Sequence, residues 1–194
     1  MRYRYLIALV CIATSAAAAE HFPRNTFGES KTQWYTEALT TLSEAPIVPQ
    51  ADAQTYRFLW LRSFRPEYVV RVDHDSDGTR ITSKTVRDNQ LIEESKEVTP
   101  EAWREFLLEV EAQGLWLTTT EDKREYAEEE LPRDLGLRND IVVTADGAQW
   151  VIEASNGRLY HAADAWSPED GAIYHLGVTL LKLAGVAVPE DEFF

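Results

Sequence analysis

Between Asp140 and Asp164 the chain reads DIVVTADGAQWVIEASNGRLYHAAD. Asp-Gly and Asn-Gly dipeptides flanked by β-branched and aromatic residues are the strongest short hairpin signals, because a tight two-residue turn asks for positive φ. Asp146-Gly147 and Asn156-Gly157 therefore predict three strands folding up and down over 141–163. Centring the turns on these dipeptides sets a register: Ser155 opposite Arg158, Ala154 opposite Leu159, Glu153 opposite Tyr160, Ile152 opposite His161, and Val143 opposite Trp150. One face then carries Ile141, Val143, Trp150, Ile152, Ala154, Leu159, His161 and Ala163, a core face with one histidine in it. The other carries Gln149, Val151, Glu153, Arg158 and Tyr160, and is mixed.

The rest of the chain alternates between the same two kinds of pattern. GESKTQWYTEALTTLSEAP reads as a helix with Ser30 as cap, Gln33 completing a capping box and Pro46 past its end. YRFLWLRSF, EYVVRVD, RITSKTV and LIEESKEV then predict a four-strand antiparallel meander from about 55 to 98, with turns near Arg65-Pro66 and Asp88-Asn89. TPEAWREFLLEVEAQG has Thr99 to cap it, Pro100 at the first helical position and Gly114 at the stop. SPEDGAIYHLGVTLLKLAG repeats the scheme with Ser167, Pro168 and Gly185. The expected fold class is α+β: antiparallel β-meanders, about seven strands in total, packed with three helices in a single domain over 20–194. Residues 121–140 are densely charged and read as an exposed excursion.

Charge and leader bound what such a domain does. MRYRYLIALVCIATSAAAAE has Arg2 and Arg4, a short apolar run and small residues before Glu20, the pattern of a signal peptide over 1–19 cleaved near Ala19/Glu20. The expected location is the periplasm or the medium, with no membrane attachment after cleavage. Cys11 is the one cysteine, so residues 20–194, about 175 residues and enough for one domain, must be held by their core without disulfides. Two of the 19 basic residues fall in the leader, leaving 17 against 33 acids. That balance argues against nucleic acid and anionic lipid as partners. An envelope or extracellular protein or a small molecule is the expected partner class, and no cofactor is expected.

Several constellations invite chemistry. Asp73, Asp75, Asp77 and Gly78 open like a calcium-binding loop, which takes ligands at positions 1, 3, 5, 7, 9 and 12. Counting from Asp73, however, Lys84 falls at position 12, where the loop needs a bidentate glutamate, and strands rather than helices flank it. A plain turn is favoured, with a weak calcium site as the alternative. On the mixed face Glu153, opposite Tyr160 and diagonal to Arg158, is the candidate acid–base group of an envelope or extracellular hydrolase. The simpler reading is a cross-strand polar pair worth ~0.2–1 kcal/mol. His161 reads as a core histidine rather than a ligand. Residues 57–87 hold seven basic residues against four acids, and 93–130 hold thirteen acids against four basic residues. Arg62, Arg71 and Arg158 could grip an anion, but pairing with the acidic segment is preferred. Trp166 is a candidate binding aromatic that packing explains as well. No Gly-rich phosphate loop or serine elbow occurs.

The run Trp150-x-x-Glu153, Tyr160-His161 and Trp166-Ser167-Pro168, with YRFLWLRSF upstream, resembles a group of uncharacterised bacterial secreted proteins. The resemblance is best over 146–185. Ala165 stands where that group often has an arginine. It implies this fold and export, and brings no activity with it. A non-enzymatic exported binding domain is accordingly the first expectation, a hydrolase using Glu153 and Tyr160 the second, and a calcium-stabilised module the third.

Overall fold

The computed structural model describes residues 20–120 and 147–187. The leader over 1–19, the charged stretch 121–140 and the strand expected at 141–145 lie outside the described residues. In chain order the elements are α1 (Glu29–Thr41), β1 (Gln54–Arg62), β2 (Tyr68–Asp75), β3 (Gly78–Arg87), β4 (Gln90–Glu97), α2 (Pro100–Ala112), β5 (Ala148–Asn156), β6 (Leu159–Trp166) and α3 (Gly171–Ala184). The fold is α+β, as expected, with six strands among the described residues in place of the seven anticipated.

All six strands form one antiparallel sheet in the order β4-β3-β2-β1-β5-β6. The β1–β4 meander follows from its turn chemistry. Asp88 and Asn89 both adopt positive φ, at 51° and 60°, which small polar side chains tolerate better than most. Asp75 pairs directly with Gly78 across a two-residue turn.

The C-terminal ribbon departs from the expected register in two ways. Asn156 pairs with Leu159, so the turn is Gly157-Arg158, and Glu153 stands opposite Ala162 instead of Tyr160. Only Gly157 takes positive φ there, at 59°, and Asn156 remains in the strand. Moving the turn by one residue moves every partner by two, so which side chains share a face is unchanged. Trp150 lies between Trp60 on β1 and Ala165 on β6. Both edges of β5 are thus taken, and the expected pairing of Val143 with Trp150 is replaced by pairing with β1. Long-range burial of Tyr56, Phe58, Leu59, Trp60 and Leu61 on β1 outcompetes the local hairpin.

Two apolar layers cover the sheet. On one face α2 and α3 pack over Tyr56, Phe58, Trp60, Trp150 and Ile152. On the other, α1 and Phe22 pack over Leu59, Leu61, Val69 and Val151. Covering both faces explains why seven consecutive residues of β1 are buried. α3 lies close because Gly177 has no side chain: a Cβ there would come within 2.7 Å of the Trp150 ring and 3.0 Å of Phe58.

The helix ends follow the sequence unevenly. Thr99 caps α2, accepting from the Ala102 amide at 3.2 Å, and Gly114 follows with φ 61°. α1 starts at Glu29 after Gly28 rather than being capped by Ser30, and Gln33 bonds Glu37 instead of closing a capping box. α3 begins at Gly171, not at Ser167. The Ser167 hydroxyl accepts from the Ala148 amide at 2.9 Å, so this residue ties off the strand hairpin and is lost to the helix.

Candidate functional site

Arg71, Arg57 and Glu153 sit side by side on one rung across β2, β1 and β5, on the face that α1 covers. α1 ends short of this rung, and the following segment crosses it, bringing Glu44 and Ala45 over the arginines. Arg57 is 0% exposed and Glu153 1%. The Arg57 Nε donates to Glu153 Oε2 at 2.7 Å and its Nη1 to the Ala45 carbonyl at 2.7 Å. The Tyr160 hydroxyl donates to Glu153 Oε1 at 2.7 Å, reaching it diagonally across the β5–β6 pair. Both oxygens of the carboxylate are therefore engaged. Burial, the Glu153 charge and the hydrogen bond to it raise the Tyr160 pKa, so the phenol stays a donor.

Glu44 continues the network outward. Its Oε1 lies 3.2 Å from Arg71 Nη1 and its Oε2 2.9 Å from Lys84 Nζ. Arg71 Nε also donates to both oxygens of Asp73, at 3.0 and 2.8 Å, and the Thr55 hydroxyl donates to Asp73 Oδ1 at 2.7 Å. His21 is buried beside these charges; burial first, then Arg57, lowers its pKa, against a smaller opposing pull from Glu44. Among the described residues, the acidic segment 93–130, the preferred source of pairing for the arginines, supplies little here. Glu93 approaches Lys84 at 3.8 Å, and the remaining carboxylates are Glu44, Asp73 and Glu153.

A further buried acid, Asp164, was not anticipated. Asp164 is 0% exposed, and its Oδ2 accepts from the Tyr35 hydroxyl, from Gln149 Nε2 at 3.0 Å and from Lys31 Nζ at 2.8 Å. Tyr35 and Lys31 belong to α1, so this acid fastens the helix to β6. Its sequence signal was available: Asp164 shares the two-residue period of Tyr160 and Ala162, hence their face.

The other candidates scatter. Arg62 projects on the opposite face, its guanidinium 4.1 Å over the Trp60 ring. Arg158 is exposed in the β5–β6 turn, at the opposite end of β6 from Trp166. Trp166 lies over Gly147, whose Cβ would come within 2.6 Å of the indole. His161 lies half-buried on the apolar face, near Trp116 at 6.1 Å between ring centroids, and burial lowers its pKa against a hydrogen bond to the Thr118 backbone. In the acidic turn Asp73 is engaged by Arg71, and Asp75 accepts the Asp77 amide at 2.8 Å, the bond of an Asx turn. Among the described residues no group of three His, Cys, Asp or Glu is arranged to hold a metal ion.

Two shallow concavities among the described residues lie elsewhere. One, of about 240 Å³, lies between Gln54, Leu107 and Trp116; the other, of about 160 Å³, between Ser83, Lys96 and Ala184. Neither is lined by Glu153 or Tyr160.

Compared with known proteins, the chain matches no family model and no curated protein. Among solved structures, one from Bacillus halodurans described as a "putative adenylate cyclase" aligns over 81% of this chain and 87% of its own, at 10% identity and a TM-score of 0.22. A likeness that distant carries no argument about fold or activity.

Proposed function

We propose that the chain is an exported, non-enzymatic interaction domain. The observation that supports this reading is the condition of Glu153. A general acid or base must reach the proton it moves, whereas this carboxylate is 1% exposed, with one oxygen held by Arg57 and the other by Tyr160. Its arginine comes from the neighbouring strand and its phenol from the other side. The three groups hold one another, and each carboxylate oxygen already accepts a hydrogen bond. The arrangement suits a lock between strands. Export rests on the leader over 1–19.

Two measurements test the two halves. Purified 20–194 incubated with peptidoglycan, casein, and ester and phosphate substrates is expected to give no turnover that Glu153→Gln abolishes at a temperature where the variant is folded. Such turnover would return Glu153 to a catalytic role. Fractionation of cells expressing the full chain is expected to yield protein outside the cytoplasm with Glu20 at its N-terminus. Material confined to the cytoplasm with an intact leader would remove export from the proposal.

A further inference from the structure

The two edges of the sheet are treated differently. On β6, Ala163, Asp164 and Ala165 are each 0% exposed, so three of its eight residues are enclosed. On β4 all eight residues, Gln90–Glu97, are exposed, and the strand pairs with β3 alone among the described residues. Of the described helices only the end of α3 comes near it, at Lys96, whose Nζ would lie 3.2 Å from a Cβ on Gly185. The direction of its main chain can be worked out. The Val98 amide donates to the Thr79 carbonyl at 2.9 Å, and the two residues are directly opposite in the β3–β4 register. In an antiparallel pair the direction alternates from residue to residue. Residues 90, 92, 94 and 96 therefore point their amides and carbonyls at β3, while Leu91, Glu93, Ser95 and Glu97 point theirs outward.

Exposed edges of this length invite another strand, and natural sheets blunt them, commonly with lysine, proline or a bulge. β4 has no proline, and its regular register with β3 runs unbroken from Arg80↔Glu97 to Arg87↔Gln90. Its charges are Glu93, Glu94 and Glu97 against Lys96, and Leu91 and Ile92 stand 40% and 39% exposed at one end. A second copy would bring six glutamates against two lysines in a chain whose formal net charge is already −14. A cationic partner meets the opposite situation.

Building on the interaction-domain reading, we propose that β4 is a docking edge for an extended basic peptide segment. The segment adds as a seventh strand, bonding the outward groups of Leu91, Glu93, Ser95 and Glu97, with lysines or arginines beside the glutamates. At ~3.3 Å per residue the edge accommodates about eight residues.

The test uses 20–194 and an acetylated, amidated eight-residue peptide alternating lysine and valine, with an alternating glutamate–valine peptide as control. Calorimetric titration is expected to show binding of the lysine peptide alone, weakened by salt, with amide shifts concentrated on residues 91–97 and absent from β6. Ser95→Pro removes an outward amide while leaving the β3 ladder intact, and is expected to bind at least about tenfold more weakly. Circular dichroism and thermal unfolding confirm that the variant is folded. Glu93→Lys/Glu94→Lys is expected to reverse the preference between the two peptides. Equal binding by wild type and Ser95→Pro, or shifts centred elsewhere, would reduce the effect to general charge attraction and overturn the docking edge. No binding at millimolar peptide overturns it too, and leaves the non-enzymatic reading to be judged by the turnover assay. Dimerisation in sedimentation that Ser95→Pro abolishes would assign the edge to a second copy instead.

Discussion

Glu153 and Arg57 show how one buried pair can stand in for a catalytic one. A carboxylate beside a phenol and a guanidinium has the composition of an acid–base site, and accessibility alone separates the two roles. Removing one partner of a fully desolvated pair leaves the other charge uncompensated, which typically costs about 3–5 kcal/mol. Glu153→Ala is therefore expected to lower the free energy of unfolding by that amount in urea titration. Replacing Arg57 and Glu153 together with methionine and leucine should restore part of it, because neither charge of the pair is then left alone, although the Tyr160 hydroxyl and the Ala45 carbonyl lose their partners. A double replacement as damaging as the single would show that the pair is not the unit that matters.

Protonation adds a second residue-scale expectation. His21 and His161 both have pKa values held below the ordinary 6.5, mainly by burial. Their neutral forms suit the folded state, and the unfolded chain takes up protons more readily. The stability they permit is complete above pH 6.5. It is lost as the pH falls below 6.5, and the loss levels off once the folded-state values are passed. His21 faces Arg57 and Glu44, so its proton would join a guanidinium already in place. Chemical denaturation in steps from pH 7.5 to 4.5 should show stability falling with pH, and His21→Gln should flatten part of that slope. A slope unchanged in His21→Gln and His161→Gln would place the dependence on other groups.

At the level of single elements, turns decide more than propensities do. The β3–β4 hairpin turns on Asp88 and Asn89, both in the left-handed region. Glycine enters that region without the steric penalty of a side chain. Asn89→Gly is expected to raise the unfolding free energy by about 0.5 kcal/mol, read as a higher denaturation midpoint at unchanged slope. A fall would mean that the asparagine side chain contributes a bond the glycine cannot replace. This hairpin was legible because both of its residues are turn formers with strands on either side. The β5–β6 turn was legible only to within one residue: Asn156-Gly157 and Gly157-Arg158 both offer a glycine for positive φ. Which of them forms depends on where β1 holds the far side of β5.

At the scale of the whole molecule one tight constraint is the approach of α3 to the sheet. Gly177→Ala places a methyl group against Trp150 and Phe58, two rings already packed 4.9 Å apart between centroids. Overpacking of this kind costs about 1–3 kcal/mol, and the loss should appear as a lower thermal midpoint with α3 still formed by circular dichroism. A neutral result would mean the helix can shift outward freely. α1 has a different attachment, through the Tyr35 and Lys31 contacts with Asp164, and these fasten its layer to the sheet at β6.

The amino-acid sequence by itself determined the elements, because their signals are local. Turn dipeptides, a proline at the start of α2, glycines at helix ends and two-residue alternation all act within a few neighbours. It also determined which side chains share a face, since period-two alternation survives a shifted turn. Only the tertiary structure decided that β1 lies beside β5, that Arg57 rather than Arg158 is the guanidinium at Glu153, and that Asp164 receives α1. Those outcomes depend on residues about a hundred positions apart competing to bury surface and satisfy charge. Such a competition is settled by the packing of the whole chain and leaves no mark on any one stretch of it.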